Sequence, residues 1–528
     1  MALKERGVPR GLSLARGFLL LSVVLCVASC CTPRAPKRVV ALNLDCTQMQ
    51  YDMPADEVDA RGVTNYYHRL NKGGLTHLLI NPNAQCTVYE SKVSDPVWHA
   101  DPRVKPESSR YPQFDRSRIL AEKGVDYIRI LVDLCRRDGV SPWITMRMND
   151  IHGIGSDANW SRSKFWLDHP EYWRVPHKDK AKMTLFDADL ALDYTHAGVR
   201  GHKLALAREM LEKWDVDGFE CDWTRFPHHV NEAAERDRSG AMAVTAFMRE
   251  LRKIADEIGA RRGRRIRIGA RVASMPEAAI GLGTDAEGWA REGLVDAVSP
   301  CNFFNNADFA LPWADWKRRL AAANPRVRLV AGIDFAGVSR DDYWNPQGFT
   351  VPEFAACLER ISAAGIGDFE TFNRFAYSEG EINRFVQVDG MPDPAGWTAR
   401  HDRTYPVTYH DAVPAGFDNE RRLPTTMDAI RPLRVSVGRV GAAKAYTVVM
   451  AFDGAVRPTV TLNGVAARAV REDPVARWLP GAKNAKKVYV GDFPVSAAVD
   501  GPNDIVVSAD VSSARLFYVA LHLGKGTE

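Results

Sequence analysis

Two acidic side chains stand two residues apart in the run Asp-Gly-Phe-Glu-Cys-Asp-Trp-Thr-Arg-Phe-Pro at positions 217–227. If this run ends a β-strand, Glu220 and Asp222 point to the same side, because side chains alternate across a strand. Two carboxylates buried side by side repel each other, and this crowding raises the pKa of one of them. A carboxyl that keeps its proton near neutral pH is what a general acid requires. The spacing therefore predicts catalytic roles for Glu220 and Asp222.

Acid–base cleavage of a glycosidic bond usually needs a second carboxylate across the bond from the first. Asp334 and Glu370 are the main candidates, with Asp368 beside Glu370 as a third, because each stands at or near the end of a strand-like segment. We slightly prefer Asp334, since Gly332 in the same segment would let a substrate approach the backbone. For both residues, a strand-end cap or a loop salt bridge is the competing interpretation.

A further set of side chains can bind a substrate around these carboxylates. Arginine holds a carboxylate or sulfate with two hydrogen bonds, asparagine bridges hydroxyls, and aromatic rings stack on the C–H faces of sugars. The candidates are Arg147, Asn149, Arg225, Arg271, Asn302, Trp160 and Trp223. For the arginines we favour neutralisation of the carboxylates over recognition of an acidic polysaccharide.

Strand-like and helix-like segments alternate over most of the chain, which is typical of a parallel sheet with helical crossovers. Eight such units predict a (β/α)₈ TIM barrel, whose active site lies at the carboxyl ends of its strands. A doubly wound sheet is the alternative, but no glycine-rich phosphate turn follows the first strand. The strands are predicted at 38–45, 75–82, 143–149, 218–223, 265–273, 297–303, 328–334 and 368–372, and helices at 119–137, 200–214, 241–258, 313–323 and 351–364.

The helical periodicity ends near residue 394, and short Val- and Thr-rich runs broken by Gly and Pro follow. This change predicts a barrel at 38–395, a linker at 396–430 and a small C-terminal antiparallel β-sandwich at 431–528. The Asn463-Gly464 pair is its strongest hairpin signal. Its strands are predicted at 433–437, 446–452, 459–462, 487–490, 505–508 and 516–521.

The first 29 residues are typical of an export signal peptide. Basic residues precede an apolar run of about eleven residues, whereas a membrane-spanning helix needs about 20. The run ends in Val27-Ala28-Ser29-Cys30, which resembles the bacterial lipobox. We expect lipidation at Cys30, a lipidated tether at 30–37, and an exported protein that is an outer-membrane lipoprotein or is periplasmic or secreted. Signal cleavage without a lipid is the alternative.

The overall composition excludes several classes of partner. The 528 residues include 70 basic and 66 acidic side chains with a net charge of +4, so no strongly basic region predicts nucleic-acid binding. No Cys-x-x-Cys pair or zinc-like Cys/His spacing is present. We expect no metal and no cofactor, and membrane contact only through the lipid anchor. The sequence does not indicate an oligomeric state.

The run at 217–227 resembles the Asp-Gly-hydrophobic-x-x-Asp-aromatic-x-Arg-aromatic-Pro motif of the glycosyl hydrolase-like family 10 proteins. Other strand ends fit as well: residues 80–83 (Ile-Asn-Pro-Asn), 146–150 (Met-Arg-Met-Asn-Asp), 298–302 (Val-Ser-Pro-Cys-Asn) and 331–334 (Ala-Gly-Ile-Asp). The resemblance covers most of residues 38–380. It implies a (β/α)₈ barrel with presumed glycoside hydrolase activity.

A weaker likeness is to the family 18 chitinases and their Asp-x-x-Asp-x-Asp-x-Glu motif. Asp217, Glu220 and Asp222 fill the first three places of that motif. Thr224 stands in place of the catalytic acid, so this likeness does not imply chitinase chemistry.

These features together lead us to expect an exported glycoside hydrolase that acts on a poly- or oligosaccharide and depends on Asp222. The alternative is a non-catalytic glycan-binding surface lipoprotein on a degenerate hydrolase barrel, because Thr224 replaces an acid and the second carboxylate is not obvious. A cell-wall-associated scaffold is a third possibility, which only the export signal and the C-terminal module support.

Overall fold

The computed structural model describes most of the chain after the predicted signal peptide. The described residues are 38–99, 101–104, 112–152, 154–155, 162–175, 185–302, 307–334, 338–339, 346–372, 394–408, 414, 417, 422–441 and 443–525. Cys30, the predicted tether and Trp160 lie outside the described residues. The signal peptide and the lipid anchor therefore stay predictions.

Parallel strands form a closed ring in the larger part of the chain. In this ring β7 and β8 are two parts of one strand, and they pair with β6 and β11 respectively. β11 also pairs with β1, which closes the ring, while β9 and β10 form a separate antiparallel pair. The bounds are β1 Val40–Leu44, β2 His77–Ile80, β3 Ser141–Arg147, β4 Gly218–Asp222, β5 Arg267–Ala273, β6 Ala297–Cys301, β7 Arg328–Leu329, β8 Ala331–Asp334, β9 Val338–Ser339, β10 Pro346–Gln347 and β11 Phe369–Phe372. This ring confirms the predicted (β/α)₈ barrel.

Helices connect the strands and cover the barrel. One prediction needs correction: the segment at 119–137 is two helices, because Gly124 adopts a left-handed conformation (φ 67°) and Asp126 caps the second helix through the Arg129 N–H. The described helices are α1 Gln48–Asp52, α2 Ala60–Leu70, α3 Pro112–Glu122, α4 Tyr127–Arg137, α5 Lys164–Asp168, α6 Ala197–Lys213, α7 Glu232–Arg236, α8 Gly240–Arg261, α9 Pro276–Gly281, α10 Ala286–Arg291, α11 Trp313–Ala323, α12 Val351–Ala363, α13 Pro394–Arg400 and α14 Val475–Trp478, with short 3₁₀ turns at Ala55–Glu57, Pro170–Tyr172 and Leu185–Leu190.

A tryptophan fills the lower end of the barrel, near the amino-terminal ends of the strands. A small apolar cluster there comprises Val39, Ala41, Leu79, Trp143 and Val330. A β-carbon at Gly218 would lie 2.3 Å from the Trp143 ring, and one at Gly269 would lie 3.2 Å from it. The two glycines make room for the indole, so polar side chains occupy the barrel only above this apolar floor.

The C-terminal part is a sandwich of two antiparallel sheets, which confirms the predicted β domain. One sheet has the order β12-β21-β15-β19-β18 with β13 beside β21, and the other has the order β14-β20-β16-β17. The predicted linker at 396–430 contains most of α13 and two strands of the first sheet, because β12 and β13 both pair with the final strand. The bounds are β12 Arg403–Pro406, β13 Thr425–Thr426, β14 Leu433–Val437, β15 Ala445–Phe452, β16 Pro458–Leu462, β17 Val465–Ala466, β18 Ala469–Asp473, β19 Lys487–Phe493, β20 Gly501–Ala509 and β21 Arg515–Gly524.

The predicted hairpin turn is present between β16 and β17. Asn463 (φ 51°) and Gly464 (φ 80°) both have positive φ, and Leu462 pairs with Val465. This is the turn type that Asn-Gly favours.

The β domain docks on the barrel through helix α12. Tyr405 of β12 donates a hydrogen bond to Glu359 at 2.9 Å, and Tyr518 of β21 donates one to Glu353 at 3.1 Å. Glu353 also completes a capping box with Thr350 at the start of α12. Since α12 leads into β11, the β domain braces the strand that carries Glu370.

The described residues include six free cysteines, of which five are buried and Cys357 is partly buried. Among these residues, no helix is both long and apolar enough to cross a membrane.

Candidate active site

Glu220 and Glu370 share one hydrogen-bond donor inside the barrel. Asn43 Nδ2 donates to Glu220 Oε1 at 3.0 Å and to Glu370 Oε1 at 3.1 Å. Thr145 Oγ1, opposite Glu220 in the β3–β4 register, donates to the same Glu220 oxygen at 2.6 Å. The alternation of β4 thus brings Glu220 into the barrel just above the apolar floor.

Asp222 lies one layer above Glu220, at the end of β4, and four donors surround it. Its Oδ1 accepts from the Thr224 N–H at 3.1 Å, the Thr224 hydroxyl at 2.8 Å and the Arg225 N–H at 3.2 Å. Its Oδ2 accepts from Arg271 Nη1 at 3.0 Å. Donors of the protein thus point at both oxygens of this carboxylate.

Arg271 joins Asp222 to Glu370. Its Nε lies 3.4 Å from Glu370 Oε1, while Nη1 binds Asp222. The guanidinium also stacks on Phe372, with Cζ 4.0 Å from the ring centroid. We call Asn43, Thr145, Glu220, Asp222, Arg271 and Glu370 the interior cluster.

Burial raises the pKa of Glu220 well above its usual value, and the adjacent Glu370 carboxylate raises it further. Arg271 opposes this shift without cancelling it. Both effects favour the protonated form of Glu220, which lies beside a Glu370 carboxylate that Arg271 contacts.

Asp334 lies at the end of β8, beside Phe372 in the register with β11, and is 2% exposed. The expected substrate approach over Gly332 does not fit the structure. A β-carbon at Gly332 would lie 2.3 Å from Cys301 Cβ, so the Cys301 side chain already fills that space. This removes the reason for preferring Asp334 over Glu370.

A second set of charged side chains lies at the carboxyl ends of β1, β3 and β4. Arg147 Nη1 donates to Asp150 Oδ2 at 2.6 Å, and Nη2 donates to Asp45 Oδ2. Arg225 Nη2 lies 3.6 Å from the same Asp45 oxygen. With His152, these residues form what we call the mouth cluster.

Asp150 also holds His152. Its Oδ1 accepts from the His152 backbone N–H at 3.0 Å and lies 2.6 Å from His152 Nδ1. Arg225 Nη2 lies 3.4 Å from His152 Nε2, and the imidazole contacts the Phe226 ring edge to face. Phe226 has a φ of 57°, a conformation that costs energy in a bulky residue and is often found beside functional sites.

Both carboxylates of the mouth cluster are held in the ionised state. Burial alone would raise the pKa of Asp45, but Arg147, Arg225 and His152 together bring it below the usual range. Burial also raises the pKa of Asp150, but His152 and Arg147 lower it by more, so it lies below the usual range. The mouth cluster is thus an ion-paired network, with each arginine facing at least one carboxylate.

Asn149 and Trp223 have structural partners. The Asn149 amide donates to the Leu192 and His228 carbonyls and accepts from the Leu192 N–H, so it fastens two loops. Trp223 is 1% exposed and packs outside the ring against Phe247 and other aromatic residues. A sugar at the mouth cannot reach this ring, so the predicted stacking role does not fit its position.

The remaining candidates are Asn302 and Asp368. Asn302 directly follows β6 and is 3% exposed. Asp368, at the opposite end of β11 from Phe372, pairs with Arg328 at 2.7 Å and accepts from the Val39 N–H, which is a structural role. Among the described residues, no group of three or more His, Cys, Asp and Glu side chains is arranged to hold a metal ion.

No protein-family model matches the chain, and no curated protein matches it. The solved structures that it resembles include glycoside hydrolases of several families. The glycoside hydrolase domain of PgaB (BpsB) from Bordetella bronchiseptica is 12% identical, with 67% of this chain and 99% of that chain covered and a TM-score of 0.43. A family 18 N-acetylglucosaminidase from Paenibacillus barengoltzii is 10% identical, with 67% and 98% covered and a TM-score of 0.34.

The α-L-fucosidase isoenzyme 2 from Paenibacillus thiaminolyticus is 10% identical, with 69% of this chain and 48% of that chain covered and a TM-score of 0.37. All three TM-scores lie below 0.5, so we draw no functional conclusion from these similarities.

Sequence reasoning missed Asn43, Asp45 and Asp150 as members of the site. The first two stand two residues apart at the end of the first predicted strand, so the alternation that selected Glu220 and Asp222 also selects them. Asp150 directly follows the third strand. Active-site residues of a barrel come from the ends of several strands. Acidic and amide residues sought at the ends of all eight predicted strands, and not of the fourth alone, therefore predict these members of the site.

Proposed function

We propose that this protein is an exported glycoside hydrolase that cleaves glycosidic bonds of a poly- or oligosaccharide. The observation that carries this proposal is the bridge from Asp222 through Arg271 to Glu370, beside Glu220, whose pKa is raised well above its usual value by burial and by Glu370. Glycoside hydrolysis requires two carboxyl groups in different environments, one suited to donate a proton and one suited to stay charged.

The spacing of the two carboxylates supports this chemistry. Arg271 contacts both Asp222 and Glu370, so the two carboxylates are separated by no more than one guanidinium and its two contacts. Glycosidase carboxyl pairs are separated by roughly 5–9.5 Å, and this arrangement is compatible with that spacing. In the proposed reaction, the Glu220–Glu370 pair supplies the proton to the leaving oxygen. Asp222 acts on the other side of the bond, as the nucleophile or as the base for the attacking water.

The arginines favour a substrate without an acidic group. Arg147 faces Asp45 and Asp150, and Arg271 faces Asp222 and Glu370. A guanidinium already paired with carboxylates has little capacity left for a sugar carboxylate or sulfate. We therefore assign the arginines to neutralisation.

A non-catalytic glycan-binding protein is the second candidate, and one observation favours it. Protein donors occupy both oxygens of Asp222, and the residue is only 2% exposed. Under this alternative, the interior cluster only stabilises the barrel.

Turnover of reducing-end-labelled oligosaccharides, followed by chromatography, separates the two candidates. We expect Asp222→Asn and Glu370→Gln to lower kcat by about 10²- to 10⁴-fold, the usual effect of losing an acid–base group. Asp504→Asn, at an exposed ion pair of the β domain, is the matched control and should keep full activity. Glycan binding without product from the unaltered protein would instead establish the binding function.

We also propose lipidation at Cys30. Cells that produce the protein should incorporate labelled palmitate into it, and Cys30→Ser should abolish the label. Cys31→Ser is the matched control, since it changes the neighbouring thiol and leaves the lipobox-like run intact. Equal labelling of both variants would contradict this assignment.

A further inference from the structure

The side-chain amide of Asn43 contacts both glutamates of the interior cluster. Asn43 lies in β1 and is 6% exposed. Its Nδ2 is 3.0 Å from Glu220 Oε1, 3.1 Å from Glu370 Oε1 and 3.2 Å from Thr145 Oγ1. An amide nitrogen has two hydrogens, so it can donate to both glutamates at once. The two Oε1 atoms are therefore separated by no more than this nitrogen and its two contacts.

Within the described part of the chain, the donors that reach these glutamates all do so at Oε1. Glu220 Oε1 accepts from Asn43 and from the Thr145 hydroxyl at 2.6 Å. Glu370 Oε1 accepts from Asn43 and lies 3.4 Å from Arg271 Nε. An oxygen that accepts hydrogens from two sides is a poor position for a further proton, because that proton would face the hydrogens of the donors. Oε2 of each glutamate is the better position.

Two carboxyl groups this close do not both stay charged easily. Burial raises the pKa of Glu220, and Glu370 raises it further by its charge and by a hydrogen bond. The other charged groups that face the pair are Asp222 of β4, which favours a retained proton, and Arg271 of β5, which opposes one. Asn43 differs from both because it is neutral. It can hold the two carboxyl groups without adding a charge that would remove their proton.

We propose that Asn43 is the positioning residue of the acid pair: by donating to both Oε1 atoms, it confines one shared proton to the Oε2 atoms of Glu220 and Glu370. This inference rests on the proposed hydrolase function, in which this pair supplies the proton to the leaving oxygen. Asn43 acts through the two carboxyl groups, so it is neither the acid nor the base.

The kinetic test compares Asn43→Leu with the unaltered protein on reducing-end-labelled oligosaccharides. Leucine has a similar size but donates no hydrogen bond. We expect kcat to fall by about 10²-fold, the usual effect of a misplaced catalytic group, while KM changes less than about twofold. Donors favour the charged form of a carboxyl, so their loss raises the pKa of the pair. The decline of kcat toward alkaline pH should therefore move to higher pH, which a purely structural role would not cause.

Infrared spectroscopy follows the shared proton without any substrate. In a titration from about pH 4 to 8, a carboxylic acid C=O absorption should persist beyond the pH at which ordinary glutamates ionise, and Glu220→Gln should remove it. Asn43→Leu should move this absorption to higher frequency, because the C=O oxygen loses a donor, and should also change the carboxylate absorption of Glu370. Thr145→Val should move only the acid absorption, since the Thr145 hydroxyl donates to Glu220.

Asn324→Leu is the matched control. Asn324 is the C-cap of α11, and its Nδ2 donates to the Ala290 carbonyl at 3.0 Å. Its replacement removes an amide donor that does not contact the interior cluster. It should leave kcat, the pH profile and both absorptions unchanged.

Three outcomes would overturn the inference. If Asn43→Leu lowers kcat without moving the alkaline limit or either absorption, the role of Asn43 is structural. If Asp222→Asn is inactive while Asn43→Leu keeps kcat within about twofold, the hydrolase function stands and the positioning role does not. If the unaltered protein has no acid absorption that Glu220→Gln removes, the inference fails even where Asn43→Leu does not fold.

The proposed function fails separately. If the absorptions behave as expected but the unaltered protein turns over no substrate, the hydrolase function is wrong, and the catalytic role of Asn43 is wrong with it.

Discussion

Arg271 donates a hydrogen bond from Nη1 to Asp222 Oδ2 at 3.0 Å, and only 3% of either side chain is exposed. A charge pair this deeply buried is costly to break, because the partner left behind keeps its charge without a counterion. The pair also fixes where the Asp222 carboxylate lies, since its other oxygen is held by the backbone after β4. Stability and the proposed catalysis therefore depend on the same guanidinium.

Replacement of Arg271 by Met should destabilise the protein strongly. It leaves Asp222 and Glu370 buried without their cation, and breaking such a pair costs about 3–5 kcal/mol. Urea denaturation followed by circular dichroism measures the change. The matched control is Arg249→Met, which breaks the exposed pair with Glu292 and should shift the midpoint little. Equal shifts in both variants would show that the interior pair is no more important than a surface one.

Glu220 should make the protein less stable as the pH rises. Its pKa is raised in the folded state, so from about the ordinary value of 4.5 upward the unfolded chain releases the proton while the folded protein retains it. Glu220→Gln cannot titrate, and it should gain stability relative to the unaltered protein as the pH increases above 4.5. Unfolding free energies at pH 4 to 8 test this, and parallel curves would refute it.

Lys203 on α6 should have the opposite effect from Glu220 and make the protein more stable as the pH rises. It is 1% exposed, its Nζ lies 3.5 Å from Gln85 Oε1, and burial lowers its pKa from 10.5 to about 8. Below pH 8 both states carry the charge, so its burial costs about 3 kcal/mol there. Lys203→Met should therefore be more stable at pH 7, and this advantage should shrink as the pH rises from 8 to 10.5. A pH-independent difference would contradict the assignment.

Gly218→Ala should destabilise the barrel by about 1–3 kcal/mol, because the new methyl group would overlap the Trp143 ring and force the floor to rearrange. Thermal unfolding measures the effect. Gly367→Ala is the matched control, since a β-carbon there meets no atom within 4 Å. If both variants unfold at the same temperature, the floor is looser than the contact distances imply.

The strand count and the inward pair of carboxylates follow from local patterns in the sequence. Alternation along β4 is enough to put Glu220 and Asp222 on one face, and the Gly and Pro punctuation marks the β domain. Contacts between distant segments are different. Arg271 meets Glu370 only because the ring closes, and no spacing within either strand encodes that distance.

Two differences between prediction and structure share this cause. β12 lies within the predicted linker because its partner, β21, is more than a hundred residues further along the chain, as in the pairing of Arg403 with Leu523. Gly332 predicts an opening for substrate, but the Cys301 side chain from the neighbouring strand fills the space. Trp223 differs for a local reason, because the same alternation that turns Asp222 inward turns Trp223 outward.

The closing contact of the ring has a consequence for how the chain folds. Val39 and Asp368, which hydrogen-bond beside the β1–β11 pairing, are 329 residues apart. A ribosome adding roughly 5–20 residues per second needs tens of seconds to synthesise that interval. Throughout this time the first strand has one edge unpaired, and the barrel cannot close. An exported chain must cross a membrane before it folds. The time before the barrel can close is time in which export machinery can bind the unfolded chain.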